Sequence, residues 1–157
     1  MSARRESEAA ARVRRMLEEI VGAVGVDAAV EVSEDAEGLR ANLDGEDLGL
    51  LIGRHGQTID AIQHLAYRIA YRGEDDRKRV TVDAAGYRER RAALLQQDAD
   101  DAVEEVLRTG EPIVLDAMNA VERRVVHEYL RDREGIETYS EGVEPDRHLV
   151  VAPAAAE

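Results

Sequence analysis

The stretch Leu51-Ile52-Gly53-Arg54-His55-Gly56-Gln57 decides how the chain is read. It joins a short apolar segment, Glu46 to Ile52, to a helix whose pattern starts at Gln57. Gly53 and Gly56 let backbone approach a ligand closely and tolerate positive φ. A helix N-terminus directly after them presents unpaired N–H groups and the positive end of a dipole to the same place. Arg54 adds a guanidinium and His55 a ring donor, so the turn has the chemistry of an anion cradle. On four letters alone an ordinary tight turn is the commoner meaning, because short motifs recur by accident. The spacing is not that of a Walker loop, and no Gly-Lys-Ser/Thr follows.

The surroundings give the turn its context. Upstream, Val13, Met16, Leu17, Ile20, Val21 and Val24 recur at helical spacing, which predicts an amphipathic helix from Ser7 to Val24, ended by Gly25. Two alternating runs follow, Ala28/Val30/Val32 and Leu39/Ala41/Leu43, with Ser33 to Gly38 as a hairpin turn. Downstream of Gln57, the expected inward positions are Ile59, Ile62, Leu65, Ala66 and Ile69. A strand at Val80-Thr81-Val82 comes next, then a long helix from Ala84 to Thr109 with Leu94, Leu95, Val103, Val106 and Leu107 as its apolar positions. Gly110-Glu111-Pro112 breaks it. A strand-like Ile113–Leu115, a helix over Asn119–Leu130, and strands Ile136–Ser140 and His148–Val151 complete the pattern.

The predicted class is α+β. Residues 1–84 form a first domain in the order α-β-β-α-α-β, 85–110 a connecting helix, and 111–153 a small α/β core, with a tail at 154–157.

The chain has 157 residues, and its 35% charged and 44% hydrophobic content fits a globular protein rather than a disordered one. The absence of cysteine excludes a disulfide framework, a thiolate zinc site and cysteine catalysis. The first twenty residues are too polar for a signal peptide, and no apolar run nears membrane-spanning length, so a cytoplasmic protein without membrane insertion is expected. The net charge of −13 by itself argues against nucleic acid. Its distribution argues otherwise, because residues 51–94 carry nine basic and six acidic side chains while both flanks are acidic. Lys78 is the sole lysine, so the cations are guanidinium groups suited to bidentate phosphate contacts.

Arg68, Arg72, Arg77, Lys78 and Arg79 form one basic cluster, and Arg88, Arg90 and Arg91 another. Each either extends a phosphate track or pairs with Glu74, Asp75, Asp76 and Glu89 as a solvated face. Further on, Arg123 and His127 stand four apart on a helix and share one face, two exposed donors within reach of one phosphate. An incidental surface pair has the same spacing.

Asp98, Asp100, Asp101, Glu104 and Glu105 read as solvated helix surface, not as an acid/base or metal cluster. His127-Glu128 lacks the rest of a HExxH motif, and no serine sits in a nucleophile elbow. No enzyme activity, catalytic residue, metal or cofactor is therefore expected.

With its α-β-β-α prefix and helix-strand suffix, the Gly53–Gly56 turn resembles that of a type II KH domain. Such domains clamp about four single-stranded nucleotides with a GxxG loop beside an apolar groove. The five tyrosines, with no Phe or Trp, disfavour an RRM, which stacks bases on sheet aromatics. The helix Met118–His127, with Gly135–Gly142 and Glu144–Val150 after it, resembles the R-three-H domain, named for its Arg-x-x-x-His pair. A KH domain followed by this module resembles the Jag family (SpoIIIJ-associated proteins, also called KhpB or EloR) over about residues 7–152.

That resemblance implies a bacterial post-transcriptional regulator that binds single-stranded RNA, or single-stranded DNA, and is linked to cell elongation, division or sporulation. A small KH-domain protein is the implied partner. The implied nucleic-acid-binding residues are Gly53, Arg54, His55, Gly56, Gln57 and Ile59 in the first domain, with Ile52 and Ile62 also lining the groove. In the second they are Arg123, His127 and Arg147, the last in a family basic pair that a neutral His148 would weaken. Many members carry an additional N-terminal Jag domain and linker, whereas this chain starts directly at the KH segment. The alternative reading is a protein-interaction adaptor that uses the KH domain for partner pairing without binding RNA.

Overall fold

Ser7 starts the first helix, α1 (Glu8–Val24), by accepting the Ala10 N–H at 3.1 Å. Gly25 ends it in the left-handed region at φ 77°. The computed structural model describes residues 6–155. These fall into two units, Met1–Arg88 and Glu89–Glu157, each with its own apolar core.

In the first unit α1 is followed by β1 (Ala29–Glu34), β2 (Gly38–Asp44), α2 (Gly49–Ile52), a 3-10 turn (Arg54–Gly56), α3 (Gln57–Ala70) and β3 (Arg79–Ala84). The order is the expected α-β-β-α-α-β. Strand β2 is central, antiparallel to β1 with Ala29 opposite Asp44, and parallel to β3 with Leu39 opposite Val80. The β1–β2 turn is held by the Asp35 carboxylate, which accepts the N–H groups of Glu37 at 2.8 Å and Gly38 at 3.1 Å. Leu39, Ala41 and Leu43 alternate inward on β2, as do Val80, Val82 and Ala84 on β3, and they share one core with Val13 and Leu17 of α1.

The inward stripe of α3 is Ile59, Ile62, Ala66 and Ala70, followed by Tyr71. This corrects the expectation for Leu65 and Ile69, which are 53% and 36% exposed. Each lies about 100° around the helix from the alanine after it, and the small alanines bring the helix close to the sheet. On α4 (Tyr87–Thr109) the same correction applies. Leu94 and Leu107 face solvent, while Leu95, Ala99, Ala102, Val103 and Val106 are buried.

Those α4 side chains belong to the core of the second unit. There β4 (Ile113–Val114), α5 (Ala120–Leu130), β5 (Ile136–Glu141) and β6 (His148–Pro153) follow, and the antiparallel sheet runs β4-β6-β5. Asn119 and Glu122 form a reciprocal capping box at the start of α5. Glu122 also receives Arg91 of α4, Nε to Oε1 at 2.9 Å, with each side chain only 13% exposed. Among the described residues no helix is long and apolar enough to cross a membrane.

Candidate nucleic-acid interface

At the Gly-x-x-Gly turn, Gly53 adopts φ 73°, ψ 177°, a region essentially reserved for glycine. A Cβ there would stand 2.1 Å from Thr58 Oγ1. Gly56 is left-handed at φ 77°, and a Cβ on it would meet the Tyr87 hydroxyl at 2.7 Å. His55 between them is also left-handed, at φ 54°, which His tolerates better than most side chains.

The turn uses part of its own donor set. Gly53 N–H is donated to Gly49 O at 2.8 Å, Gly56 N–H to Gly53 O at 3.3 Å, and Gln57 N–H to Arg54 O. That leaves the N–H groups of Arg54 and His55 as the turn's uncommitted backbone donors among the described residues. Arg54 and Gln57 are exposed, and His55 is half-buried.

Ile59 and Ile62, expected to line a groove beside the turn, are 0% and 4% exposed and belong to the core. Their expected base contacts are corrected accordingly. Helical spacing from Gln57 turns both residues toward the sheet, so neither presents surface to a ligand. Ile52 is half-buried against the same core.

The two basic clusters separate by environment. Arg88 donates to Asp60 at 2.8 Å, to Gln63 Oε1 at 2.9 Å and to Val82 O at 3.0 Å, and so locks the start of α4 to α3 and β3. Arg91 is committed to Glu122. Of the two alternatives left open for this cluster, these contacts favour acid pairing for both, though with Asp60 and Glu122 rather than with Glu89. Arg68, Arg72, Arg77 and Arg79 are exposed, and among the described residues none has a carboxylate within 4.0 Å.

In the second unit the expected pair divides. His127 is exposed on α5 and its Nδ1 meets the Thr138 hydroxyl of β5, which leaves Nε2 as the ring nitrogen available to a ligand. Arg123, expected to be exposed, is 8% exposed and is the one buried charged residue among the described residues. Its Nη1 donates to Met118 O at 2.6 Å and its Nη2 to Glu144 Oε1 at 2.7 Å. A cavity of about 350 Å³ opens beside α5, and its walls include Arg124, His127, Thr138, Ser140 and Arg147. Arg147 is half-buried and donates through Nη1 to Gly142 O at 3.2 Å.

Sequence reasoning missed Arg124, Thr138, Ser140 and above all Glu144. Nothing in the local pattern signals Glu144, because its partner is 21 residues away across two elements.

A family model described as the KhpA/KhpB KH domain matches residues 10–83, and one for the R-three-H domain matches residues 93–153. The RNA-binding protein KhpB of Clostridium symbiosum is 37% identical over 138 residues, covering 87% of this chain and 62% of that protein. The protein of the same name from Bacillus subtilis is 36% identical, covering 87% of this chain and 66% of the relative. That from Lactiplantibacillus plantarum is 38% identical over 133 residues but covers 41% of the relative. The chain thus spans less than two thirds of the Clostridium symbiosum and Lactiplantibacillus plantarum relatives. With a KH domain of this type followed by an R-three-H domain, and with this similarity along most of its length, the chain belongs to the KhpB (Jag) family.

Proposed function

We propose that the chain binds single-stranded RNA through its Gly53–Gly56 turn, with the pocket of the second unit as a further contact. The observation that carries this reading is the turn itself. Two uncommitted backbone donors, at Arg54 and His55, lie beside the exposed Arg54 guanidinium. Such a set neutralises a sugar-phosphate backbone without reading its bases. The relatives' name, RNA-binding protein KhpB, supports the same reading. Gly53, Gly56 and Gln57 shape the turn, Arg54 and His55 supply its donors, and His127 and Arg147 serve the second surface. Post-transcriptional control of cell elongation, division or sporulation in the cytoplasm is the role this binding would serve.

Fluorescence anisotropy of short labelled single-stranded RNA across a salt series tests it. Wild-type binding should weaken with a log–log slope of roughly −0.7 per phosphate contact. The double variant Arg54→Asp/His55→Asp should lose that salt-sensitive binding while keeping its circular dichroism. Equal binding by wild type and variant would remove the turn from the mechanism.

A second reading, pairing with a small KH-domain protein, is favoured by Leu65 and Ile69, which stand exposed on α3 beside Arg68. An acidic chain that fails to bind RNA in the salt series but retains a protein partner through this face would fit that reading instead.

A further inference from the structure

The Arg-x-x-x-His spacing suggests two equivalent phosphate donors, but the structure gives them different surroundings. We propose that Arg123 is a positioning residue, holding Arg147 in place through Met118 and Glu144, and that Arg147, His127 and Arg124 form the phosphate subsite. This rests on the RNA-binding reading above and assigns the contacts of its second surface.

Three observations carry it. Both terminal nitrogens of Arg123 are committed, one to Met118 O and one to Glu144, and its side chain is only 9% exposed. A phosphate would have to displace a carboxylate already paired at 2.7 Å. Next, Met118 gives its own N–H to Arg147 O at 3.0 Å, so the residue that Arg123 grips also grips Arg147. Arg147 in turn donates to Gly142 O, and Asp146 N–H to Val143 O at 2.9 Å, which closes the turn around Glu144. Lastly, the cavity wall offers donors besides Arg123. Arg124 is 80% exposed at its side chain and, among the described residues, held only by a surface pair with Glu128. The Ser140 hydroxyl lies on β5, an edge strand of the sheet, while Thr138 orients the His127 ring.

Glu144 makes the idea testable, because its two possible effects have opposite signs. As a negative charge near a phosphate it should oppose binding, and its removal should tighten the complex. As the anchor of Arg123 it should support binding, and its removal should weaken the complex.

The experiment uses the full chain and a fluorescein-labelled oligouridylate, with anisotropy read across a salt series. Glu144→Ala should weaken binding by roughly tenfold or more, the scale of a lost charge-assisted hydrogen bond. Arg123→Lys keeps the charge but cannot make both bonds, and should weaken binding as Glu144→Ala does. Arg147→Gln should flatten the salt slope by roughly 0.7, one phosphate contact. Tighter binding by Glu144→Ala, wild-type binding by Arg123→Lys, or an unchanged slope for Arg147→Gln would each overturn the proposal. If Arg123→Lys fails to fold in a thermal melt, Glu144→Ala decides, since that side chain is 57% exposed.

Absence of RNA binding by the wild type would refute the proposed function rather than the subsite. The subsite is then read by NMR with inorganic phosphate. Movement of the His127 and Thr138 signals in wild type but not in Arg147→Gln supports it, and no movement overturns it.

Discussion

Arg123 Nη2 lies 2.7 Å from Glu144 Oε1, joining the first turns of α5 to the β5–β6 connection. The pair is asymmetric, with the arginine side chain 9% exposed and the glutamate 57%. A buried guanidinium must keep its partners, because an unpaired charge inside a protein is costly. The Arg-x-x-x-His helix therefore acts first as an organiser of the hairpin beside it. His127 makes the second tie to that hairpin through Thr138.

The Gly53 backbone sets a first expectation. Gly53→Ala places a Cβ against Thr58 in a conformation that side chains rarely adopt, so the variant should lose about 1–3 kcal/mol of stability. Urea denaturation of wild type and variant checks this. An unchanged midpoint would mean that the turn relaxes freely and is not the preformed cradle described above.

The Arg91–Glu122 pair is the second. It joins α4 to α5, and Glu122 also completes the α5 capping box. Arg91→Ala should destabilise the second unit by about 2–3 kcal/mol, because a largely buried carboxylate loses its partner. Chemical denaturation followed by hydrogen exchange should show the loss at α5 amides, with the amides of α1 unaffected.

The β1–β2 turn carries a pH dependence. Two backbone N–H groups, from Glu37 and Gly38, donate to the Asp35 carboxylate and hold its pKa below the ordinary 3.8, outweighing an opposing desolvation, with lesser help from the charges of Arg40 and Lys78. A lowered folded-state pKa contributes stability that is complete above the unfolded value and is lost as pH falls through the folded one. Wild type should therefore exceed Asp35→Ala in stability at neutral pH, with the gap closing below pH 3.8. Paired urea melts at descending pH measure it. A gap that widens toward acid would contradict the assigned cause.

Much of the fold was legible in the sequence, because its elements carry strong local signals. The 3.6-residue stripe of α1, the alternation of Leu39, Ala41 and Leu43, and the glycine turn each act over a few residues. The misread positions share one cause. Leu65, Ile69, Leu94 and Leu107 drew the inward assignment by their size, while the core positions beside them are Ala66 and Ala70 on α3 and Leu95 and Val106 on α4. The site was legible as a set of motifs but less so in the roles of its members. Ile59 sits on the core side of α3, and the partner of Arg123 is fixed only once β5 and β6 have paired. Contacts made across the fold leave no periodic trace.

The most direct test of the central claim is a titration of the isotopically labelled chain with single-stranded RNA, followed through its backbone amide NMR signals. The account predicts the largest shifts at the Arg54 and His55 amides, the uncommitted donors of the turn, with Gly53 and Gly56 moving less because their N–H groups are already engaged. RNA binding that leaves the Arg54 and His55 amides unmoved would contradict it.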